Sequence, residues 1–346
     1  MRIESDVGAG GRGMQKFLSE FILDAFSSKK IGDIGLDDLD DSADFGEYVF
    51  SIDGHTVQPL FFKGGDIGKL AACGTLNDVS VMGAKPIALA NSMIIEEGFD
   101  SKSLEKIIFS MNKVLEEVGA SLLCGDTKVV EERIGIFVTT AGIGVKNKAL
   151  ENNLEILRNE RSYASNFVKD SGLGNGDFII LTGTIGDHGI SLMSLRENLS
   201  FETELKSDVA PIWSVVERAM KVGGITSMKD PTRGGVSAAL NEISKKSQVG
   251  IEVDEKKVPI RREVQAASEM LGLNVYDVAC EGKILIGVLE EYAEDVLEEI
   301  KKTKYGRNAQ IIGEAVENHK KVILKTKIGG KRILEAPLGD PVPRVC

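Results

Sequence analysis

PLFFKGGDIGKLAACGTLNDVSVMGAKP, residues 59–86, decides how the first half of this chain is read. A turn of Gly64, Gly65 and Asp66 leads into Ile67, Leu70, Ala71, Leu76 and Val79, whose helical spacing predicts a helix from Ile67 to Met82. Pro86 then precedes an apolar strand over Ile87–Ile95. The stretch is not a Walker A loop: its glycine–lysine spacing is wrong, and Leu70 stands where Ser or Thr would hold magnesium. It does carry Asp66 in the turn and Asn77-Asp78 about three helical turns further on. These groups fall near opposite ends of the helix, so one cluster needs contributions from other segments or a second subunit. Asp53, at the end of a strand, and Asp126, in CGDTK, are candidates. Converging carboxylates are the hard oxygen ligands magnesium prefers, with nucleotide phosphates completing its shell. Any one Asp beside Gly is more commonly a turn residue.

Outward from this stretch, helices and strands alternate. Phe17, Leu18, Phe21, Ile22, Ala25 and Phe26 predict a first amphipathic helix, and the acidic, turn-rich GDIGLDDLDDSADFG reads as a loop leading to a strand near Tyr48–Ile52. A stripe from Leu104 through Val118 predicts a helix stopped by Gly119. Leu122–Cys124 and Ile134–Val145 read as strands flanking the loop GDTKVVEER, and the polar 146–163 as a domain boundary or inter-domain helix. In the second half, strand Phe178–Thr182 is followed by the loop GTIGDHGIS. Helices are expected near Leu192–Glu197, Pro211–Val222, Arg262–Leu271 and Tyr292–Lys302, with strands at Ile284–Leu289, Ile311–Val316 and Val322–Lys325. Mixed elements in both halves indicate two α/β or α+β domains.

The composition fits two globular domains: 346 residues, 42% apolar and 27% charged. A net charge of −11 argues against nucleic acid or an anionic membrane as partner, because phosphate-reading surfaces need clustered Lys and Arg. The start lacks a basic region before an apolar core, and no apolar run approaches the ~20 residues that span a bilayer, so a cytoplasmic location is expected. Cys73, Cys124, Cys280 and Cys346 form no C-x-x-C pair. The first three lie among small and apolar residues and are expected to be inert packing.

Gly8, Gly10, Gly11 and Gly13 precede a helix and could offer N–H groups to a phosphate, or simply form a flexible start. In MKDPTRGGV, Arg233 either holds phosphate or belongs to a capped helix start. His188 in GDHGI either is catalytic or, as is more common, is a loop histidine with a structural hydrogen bond. The tail EAPLGDPVPRVC is different in kind. Pro337, Pro341 and Pro343 favour an extended arm able to carry Cys346 roughly 35–40 Å into or out of a cleft. This is not a prenylation box, which needs Cys four from the end.

The long stretch above, with CGDTKVV, DPTRGGV, ACEGK and the final PRVC, resembles the hydrogenase maturation HypE family, of the aminoimidazole ribonucleotide synthetase and selenophosphate synthetase superfamily. The resemblance implies an α/β plus α+β two-domain fold: a flexible start and first helix over 1–35, an ATP-binding domain at 36–148 that pairs into a homodimer, an α+β domain at 149–334, and a mobile tail at 335–346. It implies ATP and Mg2+ held by Asp53, Asp66, Asp78 and Asp126, with Lys69, Asn77, Thr127 and Arg233 beside them. Cys346 would receive a carbamoyl group from the carbamoyltransferase HypF, and Lys128 and Glu281 would serve its dehydration. The product cyano group would pass to iron on a HypC–HypD scaffold. Two departures stand out. The family's usual His-Gly-Ser-Gly-Gly is Val7-Gly8-Ala9-Gly10-Gly11 here, and its Thr-Asp strand end is Ile52-Asp53.

A relative using the same fold as a selenophosphate synthetase or small-molecule kinase is the alternative, yet no cysteine precedes Cys73 and a kinase has no need of PRVC. A non-catalytic scaffold with a docking tail is the third reading.

Overall fold

The computed structural model describes residue 3 and residues 11–196, 204–339, 341, 342 and 345. Cys346, Gly8 and Gly10 lie outside the described residues. The first helical run begins as α1 (Gly11–Phe17) and continues as a π-turn and a 3-10 turn to Ala25. Phe21 and Phe26 are exposed.

The first domain is a five-stranded sheet covered on one side. β1 (Ala43–Phe45) pairs with β2 (Tyr48–His55), a short hairpin is made of β3 (Phe61–Phe62) and β4 (Gly65–Asp66), and α2 (Ile67–Val81) follows. Next come β5 (Lys85–Glu96), α3 (Ser101–Val118), β6 (Ser121–Val130) and β7 (Ile136–Val145), giving the order β1-β2-β7-β5-β6. β5 and β6 run parallel because α3 carries the chain back over the sheet, as a crossover must. Gly119 ends α3 in the left-handed conformation, as its position after the stripe predicts. α2 is buried on nearly every side, and at Gly68 a Cβ would stand 2.0 Å from the Ile107 carbonyl oxygen, so α3 can approach only a glycine there. One expectation is corrected: Gly125–Val130 is strand, not loop. Its register against β5, Ser92 opposite Asp126 and Ile94 opposite Lys128, supplies the backbone partners that a local reading of GDTKVVEER cannot see.

α4 (Lys148–Glu160), capped by the Asn147 side chain, leads into the second domain. There β8 (Phe178–Leu181) precedes α5 (Asp187–Arg196) and α6 (Trp213–Val222), followed by β9 (Ile225–Lys229), α7 (Gly235–Ser247) and β10 (Gly250–Asp254). α8 (Arg262–Leu271), β11 (Leu285–Val288), α9 (Ala293–Lys301), β12 (Gln310–Val316), β13 (Val322–Lys325) and β14 (Lys331–Ile333) complete a seven-stranded sheet ordered β14-β13-β10-β12-β8-β11-β9. β9, β10 and β14 are absent from the sequence expectation, and α5 starts inside the segment expected as a loop. β9 is buried at every position, so it lacks the alternation that marks a half-exposed strand.

The domains are stitched through Asn77. Its side chain accepts from the Ile212 N–H (3.0 Å) and donates to the carbonyls of Ala210 (3.1 Å) and Glu281 (3.4 Å). No helix among the described residues is long and apolar enough to cross a membrane.

Candidate functional site

Three aspartates from separate segments meet where the two domains face each other. Asp41 comes from the acidic loop before β1, Asp78 from the last turn of α2, and Asp230 from the residue after β9; one carboxylate oxygen of each lies within 4.8 Å of the others. They line a cavity of about 870 Å³ whose wall also includes Asp53 of β2 and Arg233 before α7.

Crowding like charges in a largely buried wall disfavours their ionisation. Burial lifts the Asp78 carboxyl well above the usual carboxylate range, and Asp53, Asp230 and Asp41 lift it further. Burial and then Asp41 push Asp230 up to about 8, against the opposing pull of Lys229. Lys229 is the local counter-charge, 2.5 Å from Asp41 and 3.4 Å from Glu242. Burial alone would lower its pKa; the surrounding carboxylates outweigh that and hold it well above the usual lysine value. Behind it Asp170 is bound by Lys246 at 2.6 Å. Asp41 Oδ2 and Asp230 Oδ2 are nevertheless buried with no hydrogen-bond partner among the described residues. Buried polar oxygens are ordinarily satisfied, so this all-oxygen set fits a hard divalent cation such as magnesium.

Of the residues singled out from sequence, Asp53, Asp78 and Arg233 share this cavity. Thr75 Oγ1 lies 3.5 Å from Asp53. Asp66 is used differently: its carboxylate caps α2, accepting from the N–H groups of Gly68 (2.8 Å) and Lys69 (3.0 Å) and from the Ser110 hydroxyl. Lys69 donates to the Gly64 carbonyl and borders a separate cavity of about 610 Å³. Asn77 is the domain stitch already described. Asp126, Thr127 and Lys128 sit on the exposed edge strand β6, three strands from β2 and hence roughly 14 Å across the sheet. Within one chain they do not join the cluster.

Glu281 is buried, within electrostatic reach of Asp230, Arg233 and Asp53 of the cavity wall. Its backbone N–H donates to Asp208 (3.2 Å), while its Oε1 has no partner among the described residues. Burial, reinforced by Asp230 and Asp208, pushes its carboxyl well above the usual range.

Cys346 is outside the described residues, but Val342 and Val345 are buried. Cys73 and Cys280 are buried as expected, whereas Cys124 is exposed, a correction that follows from its place on the edge strand β6. His188 is fully buried in the first turn of α5 and hydrogen-bonded on both ring nitrogens.

Sequence reasoning missed Asp41 and Lys229. The signal was present in the acidic run Asp37-Asp38-Leu39-Asp40-Asp41 and in Lys229-Asp230. A charge run ordinarily marks a solvated surface; here Lys229 and Lys246 draw it inward, the latter through the Leu39 carbonyl (2.5 Å).

Comparison with known proteins gives the following. Residues 39–146 match the family "AIR synthase related protein, N-terminal domain" and residues 174–325 its C-terminal domain. The carbamoyl dehydratase HypE of Rhizobium leguminosarum bv. viciae is 41% identical over 350 residues, covering 100% of this chain and 95% of that one. Among solved structures, a chain of a HypE–HypF complex superposes with TM-score 0.83 at 42% identity, over 93% of this chain and 99% of that chain. HypE in complex with ATP gives TM-score 0.79 at 34% identity over the full length of both.

Proposed function

The chain belongs to the HypE family of carbamoyl dehydratases, and on that premise we propose that it spends ATP to dehydrate an S-carbamoyl group on Cys346 to a thiocyanate, the source of cyanide ligands for [NiFe]-hydrogenase iron. The observation that carries this reading is the Asp41–Asp78–Asp230 cluster in the wall of an inter-domain cavity, with the buried Glu281 within electrostatic reach of Asp230.

The carbamoyl oxygen is a poor leaving group. It attacks the γ-phosphorus of ATP, ADP departs, and the C–O bond can then break with phosphate leaving. Loss of both N–H protons completes S–C≡N, so carbamoyl thioester and ATP give thiocyanate, ADP, phosphate and a proton. Phosphoryl transfer rests mainly on alignment and charge neutralisation. Asp41, Asp78 and Asp230, with Asp53 adjacent, would hold Mg2+, which would supply positive charge to the phosphate oxygens. Arg233 pairs with a phosphate group as a planar fork. Glu281 takes a proton from the carbamoyl nitrogen; its raised pKa makes it a stronger base once ionised.

Lys128, Asp126 and Thr127 enter from a second copy of the chain. The sheet face away from α2 leaves Phe50, Ile52, Ile94 and Phe137 exposed, which supports pairing of two such faces into a homodimer. HypF as carbamoyl donor, the HypC–HypD scaffold as acceptor and a cytoplasmic setting complete the reading.

Mass spectrometry of the C-terminal peptide tests it directly. After incubation with HypF, carbamoyl phosphate and ATP, a carbamoyl adduct is expected on Cys346, followed by loss of one water. Unchanged thiocyanate formation in a Cys346→Ala chain overturns the proposal.

A further inference from the structure

His188 is a buried histidine that the chemistry above does not use. Its Nε2 lies 2.7 Å from the carbonyl oxygen of Val345, the residue preceding Cys346 in sequence, and its Nδ1 lies 2.7 Å from Ser207 Oγ. We propose that His188 is a positioning residue that grips the last described peptide of the tail through its Nε2–H, with Ser207 hydrogen-bonded to Nδ1 of the same ring. The inference rests on the dehydratase reading only for its purpose; the grip is a claim about geometry.

A carbonyl oxygen can only accept, so the proton must reside on Nε2. Nδ1 of the neutral ring is then an acceptor and receives a hydrogen bond from the Ser207 hydroxyl. The hydroxyl oxygen in turn accepts from the Val209 N–H (3.1 Å). The chain of donors runs Val209 to Ser207 to His188 to Val345, with every member satisfied. Burial holds the imidazole below its ordinary pKa, consistent with a neutral ring.

Two further contacts tie this grip to the proposed base. Asp208, next to Ser207, accepts from the Glu281 N–H. On the other side the Gly189 N–H donates to the Ala279 carbonyl (3.3 Å), fastening the first turn of α5 to the segment that carries Glu281. Val342 packs beside Gly189, where a Cβ would meet Val278 at 2.5 Å and Val342 at 3.7 Å. Phe62 of the first domain meets the His188 ring edge-on at 5.6 Å. The tail end and Glu281 are thereby referenced to the same two short segments.

The test uses the full-length chain. Iodoacetamide labelling of Cys346 is measured by mass spectrometry as the ratio of labelled to unlabelled C-terminal peptide. His188→Asn cannot place an N–H at the Nε2 position and is expected to raise that labelling ratio about fivefold, the loss of one hydrogen bond. His188→Gln, whose amide reaches that position, is expected to restore the wild-type ratio, and Ser207→Ala to fall between. In the dehydration assay His188→Asn is expected to lower kcat with the ATP KM unchanged within about twofold. A folded His188→Asn chain with the wild-type labelling ratio overturns the grip, as does His188→Gln behaving like His188→Asn. Histidine 15N NMR of the unaltered protein needs no variant: an Nε2–H tautomer is expected for His188, and an Nδ1–H tautomer overturns the proposal. If the wild-type chain forms no thiocyanate while the labelling ratios separate as described, the dehydratase reading fails and the grip stands.

Discussion

The two ends of α2 each carry an aspartate and treat it in opposite ways. At the start, Asp66 accepts two backbone N–H groups and the Ser110 hydroxyl, and a negative charge there is favoured by the helix dipole. At the other end, Asp78 has the Ser51 hydroxyl at 2.8 Å, three neighbouring carboxylates, and a helix dipole that opposes its charge. The difference teaches how to separate a carboxylate that builds the fold from one held ready for a ligand. The first is satisfied by its own chain; the second carries a burial cost that a bound cation would offset.

That contrast is broken most sharply at the poorly satisfied end. Asp78→Asn and Asp230→Asn are expected to lower ATP turnover by roughly 10²–10³-fold, read as phosphate release. In chelator both are expected to raise the melting temperature, because each removes a charge from a crowded, buried cluster. Turnover within threefold of wild type would show that the cluster is not the phosphate site.

Glu281→Gln is expected to slow water loss from the carbamoylated C-terminal peptide by about 10²-fold or more, with ATP still bound. A normal rate removes it as the base.

At the satisfied end, Asp66→Ala is expected to cost about 1–2 kcal/mol in denaturant unfolding, with turnover of the folded protein unchanged within about twofold. Loss of turnover in a well-folded variant would return Asp66 to the ligand set that the sequence suggests.

The smallest effect belongs to Glu252 on β10, a carboxylate satisfied by lysines. Hydrogen bonds from Lys325 and Lys331 hold it down to about 2. Its folded pKa is depressed, so its stabilisation is present above the unfolded value near 4.5 and is lost as pH falls toward 2. Glu252→Gln is expected to flatten the acid limb of a stability–pH curve by about 1 kcal/mol after solvent screening. An unchanged acid limb would mean the pair contributes nothing.

Legibility in the sequence tracked locality. The helix from Arg262 to Leu271 and the strand from Val322 to Lys325 have the bounds their periodicity predicts, and Gly119 stops α3 where expected. β6 was half missed because an edge strand's partner lies across a crossover, and β9 because it is buried on both faces. Cys124 followed β6: apolar neighbours in sequence gave no warning that its strand lies open. Asp53 and Asp78, singled out from strand-end and helix-end positions, line one cavity. Asp41 was passed over because five residues of acidic loop look solvated until Lys229 is placed beside them.

The order of residues alone pointed to most helices and more than half of the strands, to two mixed domains and to the family to which they belong, since apolar periodicity and short motifs are properties of neighbours along the chain. Only the tertiary structure decided that positions 41, 78 and 230 share one cavity wall, that Asp66 is spent on a helix cap, and that His188 meets Val345. The reason is physical: a carboxylate's role is set by what desolvates and neutralises it, and those groups arrive from remote parts of the chain.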